Sequence, residues 1–378
     1  MDRKNYKIEI FSRPNEKLKK NWQDFEKKSF GYCFQTYDWF ENWTKNFRSS
    51  ENDILCVAVV SNQDKILLIL PLEIIKRYNL KILQWLGDKH ADYFSPIICK
   101  DFNLSKDDFN DLWRQIRESI PTFDLIFFMK QPKLIENTKN PFVFFLKNHR
   151  DSSIYNILLP KTWNEYSQNI LKKKFRTQNL RSKKLLKKLG KISFKIIYKQ
   201  SEKINYISEL FIQKNKQLRS ASSTSFFDNK DINFYKGFED CNLRTIKTHI
   251  SYLKLDGKLI AAHWGIVHKN RFYYLVPSLD AKDLSKYSPG RLLISLLIKW
   301  SISKRIDIFD FTLGDENYKK SWSNNGSQLY NYVYLNSFKG FFLFMLLKTK
   351  LVVKSLDRHH YIKKNFLMIK NIFTKKKL

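Results

Sequence analysis

At 378 residues, with 43% hydrophobic and 16% aromatic side chains, the chain has ample material for a folded core and exceeds the usual size of one domain. A disordered or short-peptide class is excluded. Lysine and arginine number 69 against 36 acids, a formal charge of +33, which either attracts polyanions such as nucleic acid, anionic lipid or phosphorylated substrates, or reflects the Lys, Asn, Ile and Phe bias of an AT-rich genome.

Cys33, Cys56, Cys99 and Cys241 are scattered, with no Cys-x-x-Cys pair and no His at metal spacing. A reducing compartment and no metal are expected. The opening MDRKNYKIEIF has no apolar core suited to a signal peptide. The longest strictly apolar run, Phe341 to Leu347, is far short of a membrane span. The expectation is a cytoplasmic protein, soluble or peripheral at the inner membrane face.

In chain order, residues 4 to 11 alternate as a first strand and Leu18 to Lys28 form a charged helix. Cys33 to Phe47 sets Phe34, Tyr37, Trp39, Phe40 and Trp43 at helical spacings, an aromatic face docked on a core. Strands at Ile54–Val60 and Ile66–Ile75 are joined by the turn Asn62-Gln63-Asp64. A further strand, Leu80–Leu86, leads to a loop with His90, Asp92 and Tyr93. Loops between apolar strands collect binding residues. Asp107–Ser119 is helical and Leu125–Met129 a buried strand. Residues 131 to 153, rich in Pro, Asn and Lys, read as a connection.

A second round starts with the strand Ile154–Leu159. Thr162 with Glu165 three residues on is a capping-box pattern, and the helix it opens is expected to run from Trp163 to Leu189. Between Tyr166 and Gly190 it carries nine Lys or Arg and no acid. That is either a solvated face or a cationic wall for a phosphorylated or RNA partner. A strand at Ile192–Tyr198, a helix at Ile204–Ser220 and an aromatic helix around Phe234–Phe238 follow. Then come Arg244–Leu255 and Lys258–His268, joined by the turn Asp256-Gly257, and the strand Arg271–Ser278. Helices against antiparallel strands, without regular βαβ alternation, imply an α+β protein.

Tyr287 to Trp322 is the densest stretch. Ser288-Pro289-Gly290 is turn composition feeding a helix, whose face is Leu292, Leu293, Leu296, Leu297 and Trp300. The strand Ile306–Leu313 ends at Gly314, and Asp315, Glu316, Tyr318 and Lys319 crowd its exit. Residues 331 to 336 supply a last strand. The tail from Lys339 carries eleven basic residues against one acid, interleaved with apolar groups including Phe366, Leu367, Ile369 and Phe373. It is either an interfacial helix on an anionic membrane or a packing helix with a Lys-rich end.

YxSPGRLL followed by DxFDFTLGDExYKxxW resembles the C-terminal signature of the CelD-type (BioF2-like) acyltransferases, a branch of the GNAT superfamily related to the FemAB peptidyltransferases. Phe34-Gln35-Thr36-Tyr37-Asp38-Trp39-Phe40, Leu86-Gly87-Asp88, Ala91-Asp92-Tyr93, Ser95-Pro96, Leu159-Pro160, Lys174-Phe175-Arg176 and Ala261-Ala262-His263 fit in order, over roughly residues 30 to 325. The resemblance implies two tandem GNAT-like domains with mixed, mostly antiparallel sheets flanked by helices: residues 1–150, residues 151–338 as the acyltransferase domain, and a basic amphipathic tail, 339–378.

It further implies transfer of an acyl group, acetyl foremost, from acyl-CoA to an amine or hydroxyl of a sugar, polysaccharide or cell-envelope precursor. The pantetheine arm would lie on backbone groups of Phe272–Ser278, among them Val276 and Ser278. The pyrophosphate would meet Ser288, Pro289, Gly290 and Arg291, where free N–H groups and the helix dipole favour an anion. One glycine stands where the GNAT loop usually has two. Tyr318 is the candidate acid for the leaving thiolate. Asp310, Asp315 and His263 are base or orienting candidates, and Gln35, Asp92, Tyr93 and Lys319 are substrate-binding candidates. For the acids a structural role stays open, Asp315 as a helix cap and Asp310 paired to a Lys or Arg. Two other functions remain: FemAB-like transfer from aminoacyl-tRNA to a cell-wall peptide, and a non-catalytic RNA- or lipid-binding module on a GNAT scaffold.

Overall fold

The computed structural model describes residues 6–48, 53–77, 79–221, 223, 226–240, 243–280 and 284–356. Cys241 and the tail positions Phe366, Leu367, Ile369 and Phe373 lie outside the described residues. Positions up to Phe40, from Arg48 to Ser153 and from Ser327 onward group into a first unit; Glu41–Phe47 and Ile154–Gly326 group into a second.

The first unit opens with β1 (Lys7–Phe11), α1 (Glu16–Glu26), β2 (Ser29–Phe30) and the first turn of α2 (Tyr37–Phe47). Asn15 caps α1 by accepting the Leu18 N–H at 2.8 Å. Trp22 of α1 stacks on Phe40 at 4.8 Å and meets Tyr37 edge-on, so the expected aromatic face is core. The chain continues through β3 (Ile54–Leu55), β4 (Val57–Asn62), β5 (Lys65–Leu70), β6 (Leu72–Arg77), β7 (Leu80–Trp85), β8 (Ile97–Cys99), α3 (Lys106–Ser119) and β9 (Leu125–Pro132). Gln63 and Asp64 both adopt positive φ, the signature of a two-residue hairpin between β4 and β5. One sheet runs β1-β4-β5-β8-β2.

The expected connection from 131 to 153 is structured. It holds β10 (Leu134–Ile135), β11 (Thr138–Lys139), α4 (Pro141–Phe144) and the start of β12 (His149–Leu158). Asn140, read as linker composition, is fully buried; it caps α4 through Phe142 N–H and donates to the Pro132 carbonyl at 2.9 Å. Polar residues that satisfy buried backbone groups look like a linker in sequence and act as core in space.

In the second unit, β12 leads to short α5 (Trp163–Glu165), where Thr162 caps Glu165 N–H at 3.1 Å. The single helix expected over 163–189 is broken. Residues 166–170 make a wide turn, Leu171 is extended, and α6 (Lys173–Leu189) begins afresh. Tyr166 and Leu171 are both buried, and the Tyr166 hydroxyl donates to the Trp322 carbonyl at 2.7 Å. Positions five apart on one helix point roughly 140° apart, so only a break lets both enter the same core.

The chain continues through β13 (Ile192–Ile197), α7 (Gln200–Ser220), α8 (Asn229–Asp240), β14 (Lys247–Leu255), β15 (Lys258–His268), β16 (Arg271–Leu279), α9 (Pro289–Ser303), β17 (Ile308–Leu313) and α10 (Asn317–Trp322). Six strands follow the order β13-β14-β15-β16-β17-β12, antiparallel except for β16 beside β17. Leu292, Leu293, Leu297 and Ile298 of α9 pack with Phe272, Tyr274, Phe309 and Phe311 of the strands. Asn42 of α2 donates to the Phe234 carbonyl on α8 at 2.7 Å.

β18 (Asn325–Leu335) returns the chain to the first unit, pairing with β9 in the order β18-β9-β7-β6-β3. The last described element, α11 (Phe341–Leu356), buries Leu347 and Leu351 among Ile75, Ile82, Leu125 and Phe127. The fold is α+β, two units with mixed, mostly antiparallel sheets flanked by helices.

Candidate functional site

The site of the second unit is set by a parallel pair that stops early. β16 and β17 pair at Arg271↔Ile308, Phe272↔Phe309 and Tyr273↔Asp310, and at no later position, although β16 runs on to Leu279 and β17 to Leu313. On its other edge β16 pairs with β15 through Leu279, with an irregularity at Trp264/Gly265 opposite Leu275. A bulge of this kind increases strand twist and re-aims the backbone. The two strands therefore part beyond Tyr273 and Asp310.

An ion pair sits where they part. Arg271 donates to Asp310 at 2.7 Å, with side chains 13% and 0% exposed, and Asp310 also accepts the Thr312 N–H at 2.9 Å. Asp310 is thus paired to Arg271, which ties the first paired position of β16 to the last paired position of β17. Thr312 has φ 57°, a left-handed conformation costly for a β-branched residue.

α9 begins beside the far end of β16. Ser288 precedes it in the left-handed region, Pro289 occupies the first turn, and Ser288 makes no side-chain cap. A Cβ on Gly290 would come within 2.9 Å of Leu279 Cδ2, so the first turn rests on the end of β16. Its opening N–H groups carry the positive end of the helix dipole. Arg291 is turned toward α6, over the Phe175 ring at 5.1 Å and 3.4 Å from Gln178 Oε1. Val276 is buried opposite Trp264, and the Ser278 hydroxyl donates to Gln213 of α7 at 2.7 Å.

At the exit of β17, Gly314 (φ 136°) lets the chain fold over itself; a Cβ there would meet Glu316 Oε2 at 2.0 Å. Lys319 pairs with Glu316 at 3.1 Å and donates to the Leu313 carbonyl. Asp315 is exposed on the same loop. Tyr318 stands edge-on to Phe311, 36% exposed, and loss of solvent followed by the Glu316 charge pushes its phenol well above the usual range. Tyr274 is pushed the same way by burial and by Tyr318. The sequence reading missed Lys214 of α7. Its ammonium is held below the usual range by burial, against the opposing pull of Glu316. Nothing in the local pattern of α7 marks it, since only folding brings Lys214 within reach of the Glu316 charge.

His263 lies deeper. It is fully buried, stacks flat on Tyr274 at 4.4 Å and has no hydrogen-bond partner on either ring nitrogen. Burial, then His249, holds it well below the ordinary 6.5. Gln35, Asp92 and Tyr93 belong to the first unit. Gln35 is buried, donating to the Tyr93 carbonyl at 2.8 Å and accepting from Ser95 at 3.3 Å. Tyr93 is fully buried between Tyr32 and Phe34, and Asp92 is half-buried.

An open pocket of about 630 Å³ lies between α7 and the adjoining ends of β15 and β16. Gln213, Lys216, Gln217 and Leu279 line it, with Lys258 and Asp280 paired at 3.1 Å. The Gln217 Oε1 is buried without a partner. Among the described residues no group of three His, Cys, Asp or Glu side chains is arranged to hold a metal.

Residues 173–320, from the start of α6 into α10, match the family model of an acetyltransferase (GNAT) domain. No curated protein matches the chain by sequence. The chain is similar in fold to FemX, with TM-score 0.56 and 12% identity over 87% of this chain and 98% of that one. It is also similar to a conserved protein of unknown function from Bacteroides thetaiotaomicron VPI-5482, with TM-score 0.51 and 11% identity over 88% and 100% of the two chains.

Proposed function

We propose, for a chain whose residues 173–320 match an acetyltransferase (GNAT) domain and whose fold is similar to that of FemX, transfer of an acyl group, acetyl foremost, from acyl-CoA to an amine or hydroxyl of a sugar, polysaccharide or other cell-envelope precursor. The carrying observation is the parting of β16 from β17 beyond Tyr273 and Asp310, with the uncapped first turn of α9 at one end of β16. A strand edge released from pairing offers backbone groups to a pantetheine arm along the stretch of β16 that holds Val276 and Ser278. A helix start offers positive potential to a pyrophosphate between Ser288 and Arg291, with the Gly290 N–H as its backbone donor, since Ser288 and Arg291 donate theirs to the Ser285 and Ser288 carbonyls and Pro289 has none. The residues fit the group.

Bound acyl-CoA supplies an activated acyl thioester. The chain's own part is proton handling and positioning. The Tyr318 Oη, a phenol that stays protonated at neutral pH and stands at the exit of β17, is the group positioned to donate a proton to a leaving group. The Glu316 carboxylate, more than half exposed, stands beside it as an acceptor for the proton of an incoming nucleophile, with Lys319 fixing its direction. Asp310 is a positioning residue and His263 a core residue in this reading. Gln213, Gln217 and the Lys258–Asp280 pair give the neighbouring pocket the hydrogen-bonding groups that a polyhydroxyl or peptide acceptor needs.

A second reading, transfer from aminoacyl-tRNA, is favoured by one feature. Lys172, Lys173, Lys174, Arg181, Lys184, Lys187 and Lys188 are all exposed at the start of or along α6, where no acid offsets them.

Isothermal titration with acetyl-CoA, repeated on Gly290→Trp, tests the first reading. Micromolar binding that disappears in the variant, at an unchanged thermal midpoint, supports it. No heat with acetyl-CoA or longer acyl-CoAs overturns it, and binding of charged tRNA with a steep salt dependence would favour the second.

A further inference from the structure

We propose that α11, with the turn before it, is a docking face that lies flat on an anionic lipid surface. The inference is independent of which donor the second unit uses. Phe338 and Phe342 are 85% and 84% exposed. Phe341, Met345, Leu346 and Val353 are also exposed. At about 100° per residue, positions 341, 342, 345, 346 and 353 fall on one side of the helix, interrupted there by Thr349. The opposite side is fixed: Leu347 and Leu351 are buried in the core of the first unit. A helix pinned this way cannot turn its apolar stripe inward, and it lies along a surface rather than crossing one.

Charge selects the occupant. Lys339 is exposed beside Phe338, and Lys348 is exposed at the edge of the stripe, 5.4 Å from the Phe344 ring. From Phe338 to Leu356 the sequence has no acid, and past it Asp357 stands alone against Arg358, Lys363, Lys364, Lys370 and Lys375 to Lys377. Large apolar side chains bordered by lysines, in a chain of net charge +33, suit the boundary between acidic headgroups and acyl chains, where rings insert and ammonium groups reach outward. A protein partner would more commonly supply its own mixture of charges.

The test is sedimentation of the full chain with phosphatidylcholine vesicles, with and without phosphatidylglycerol, at low and high salt. It is repeated on Phe342→Glu/Leu346→Glu, both positions being exposed enough to leave folding intact by circular dichroism. The expected result is binding to the phosphatidylglycerol vesicles that weakens with salt and falls at least about tenfold in the variant. Equal binding to both vesicle types, or binding the substitutions leave unchanged, overturns the proposal. So does a chain that ignores vesicles. If it then elutes as a dimer that the substitutions break, the face belongs to a second copy.

Discussion

Among single residues, Tyr318 carries the most chemistry for its position. It is only partly exposed, its hydroxyl proton is held tightly, and the Glu316 carboxylate acts on it directly. If it donates the proton to a leaving group, Tyr318→Phe lowers kcat roughly a hundredfold or more while KM changes little. Steady-state kinetics with a series of acyl donors reads this, and an unchanged kcat removes Tyr318 from the chemistry. Tyr318 was singled out from the sequence because the motif around it resembles a known signature. Lys214 was not, because its only mark is proximity to Glu316 in space. His263 shows the converse. A histidine in a strand looks like a base on paper, yet its strand position faces Tyr274 and the α9 core, where a charge is too costly to form.

At the scale of elements, the junction of β16 and β17 depends on one ion pair. Arg271 and Asp310 meet with little solvent between them and the bulk. Removing one partner of such a pair strands the other, so Asp310→Asn costs about 3 kcal/mol of stability. Most of it returns in Asp310→Asn/Arg271→Met, where neither charge is left buried. Chemical denaturation of the three variants gives the coupling, and additive losses would show that the pair does not act as a clamp. The strands themselves were legible as alternating β-branched and aromatic runs, and the turn Asp256-Gly257 fixed one hairpin register. That β16 and β17 lie parallel, and separate after three rungs, was not. Parallel pairing is made across the intervening α9, and no local pattern encodes where it ends. The split of the expected long helix into α5 and α6 escaped for a similar reason, since the burial of both Tyr166 and Leu171 is a tertiary demand.

For the whole molecule, buried titratable groups shape the pH profile from two sides. His249 and His268 are held down to about 3 and about 4, chiefly by burial, and His263 is also held well below 6.5. The unfolded chain binds protons at these groups below its ordinary 6.5 while the folded one does not. Stability is therefore lost as pH falls below 6.5, by roughly 1.4 kcal/mol per pH unit for each histidine. Glu73, bonded to Gln84 at 2.9 Å, runs the other way: burial raises its carboxyl to about 8. Its unfolded counterpart ionises near 4.5, so stability declines between 4.5 and 8. The thermal midpoint is expected to peak near pH 6.5. Glu73→Gln is expected to stabilise the protein at pH 7.5 by roughly 2–4 kcal/mol, and a variant that flattens neither limb would show that Glu73 is not protonated in the fold.

The sequence by itself determined the α+β class, most helices and strands, the cap at Thr162, and the stretch from Tyr287 to Trp322 as the place to look. These follow from local rules: side-chain periodicity, turn chemistry and the order of short motifs. Tertiary structure alone decided that Asp310 clamps a strand junction, that Gln35 pins a buried loop, that α7 brings Lys214 toward Glu316, and that α11 buries one stripe and leaves the other exposed. Each of these depends on which surfaces meet after collapse, and burial, which sets both the charge state and the reach of a side chain, is a property of the folded whole.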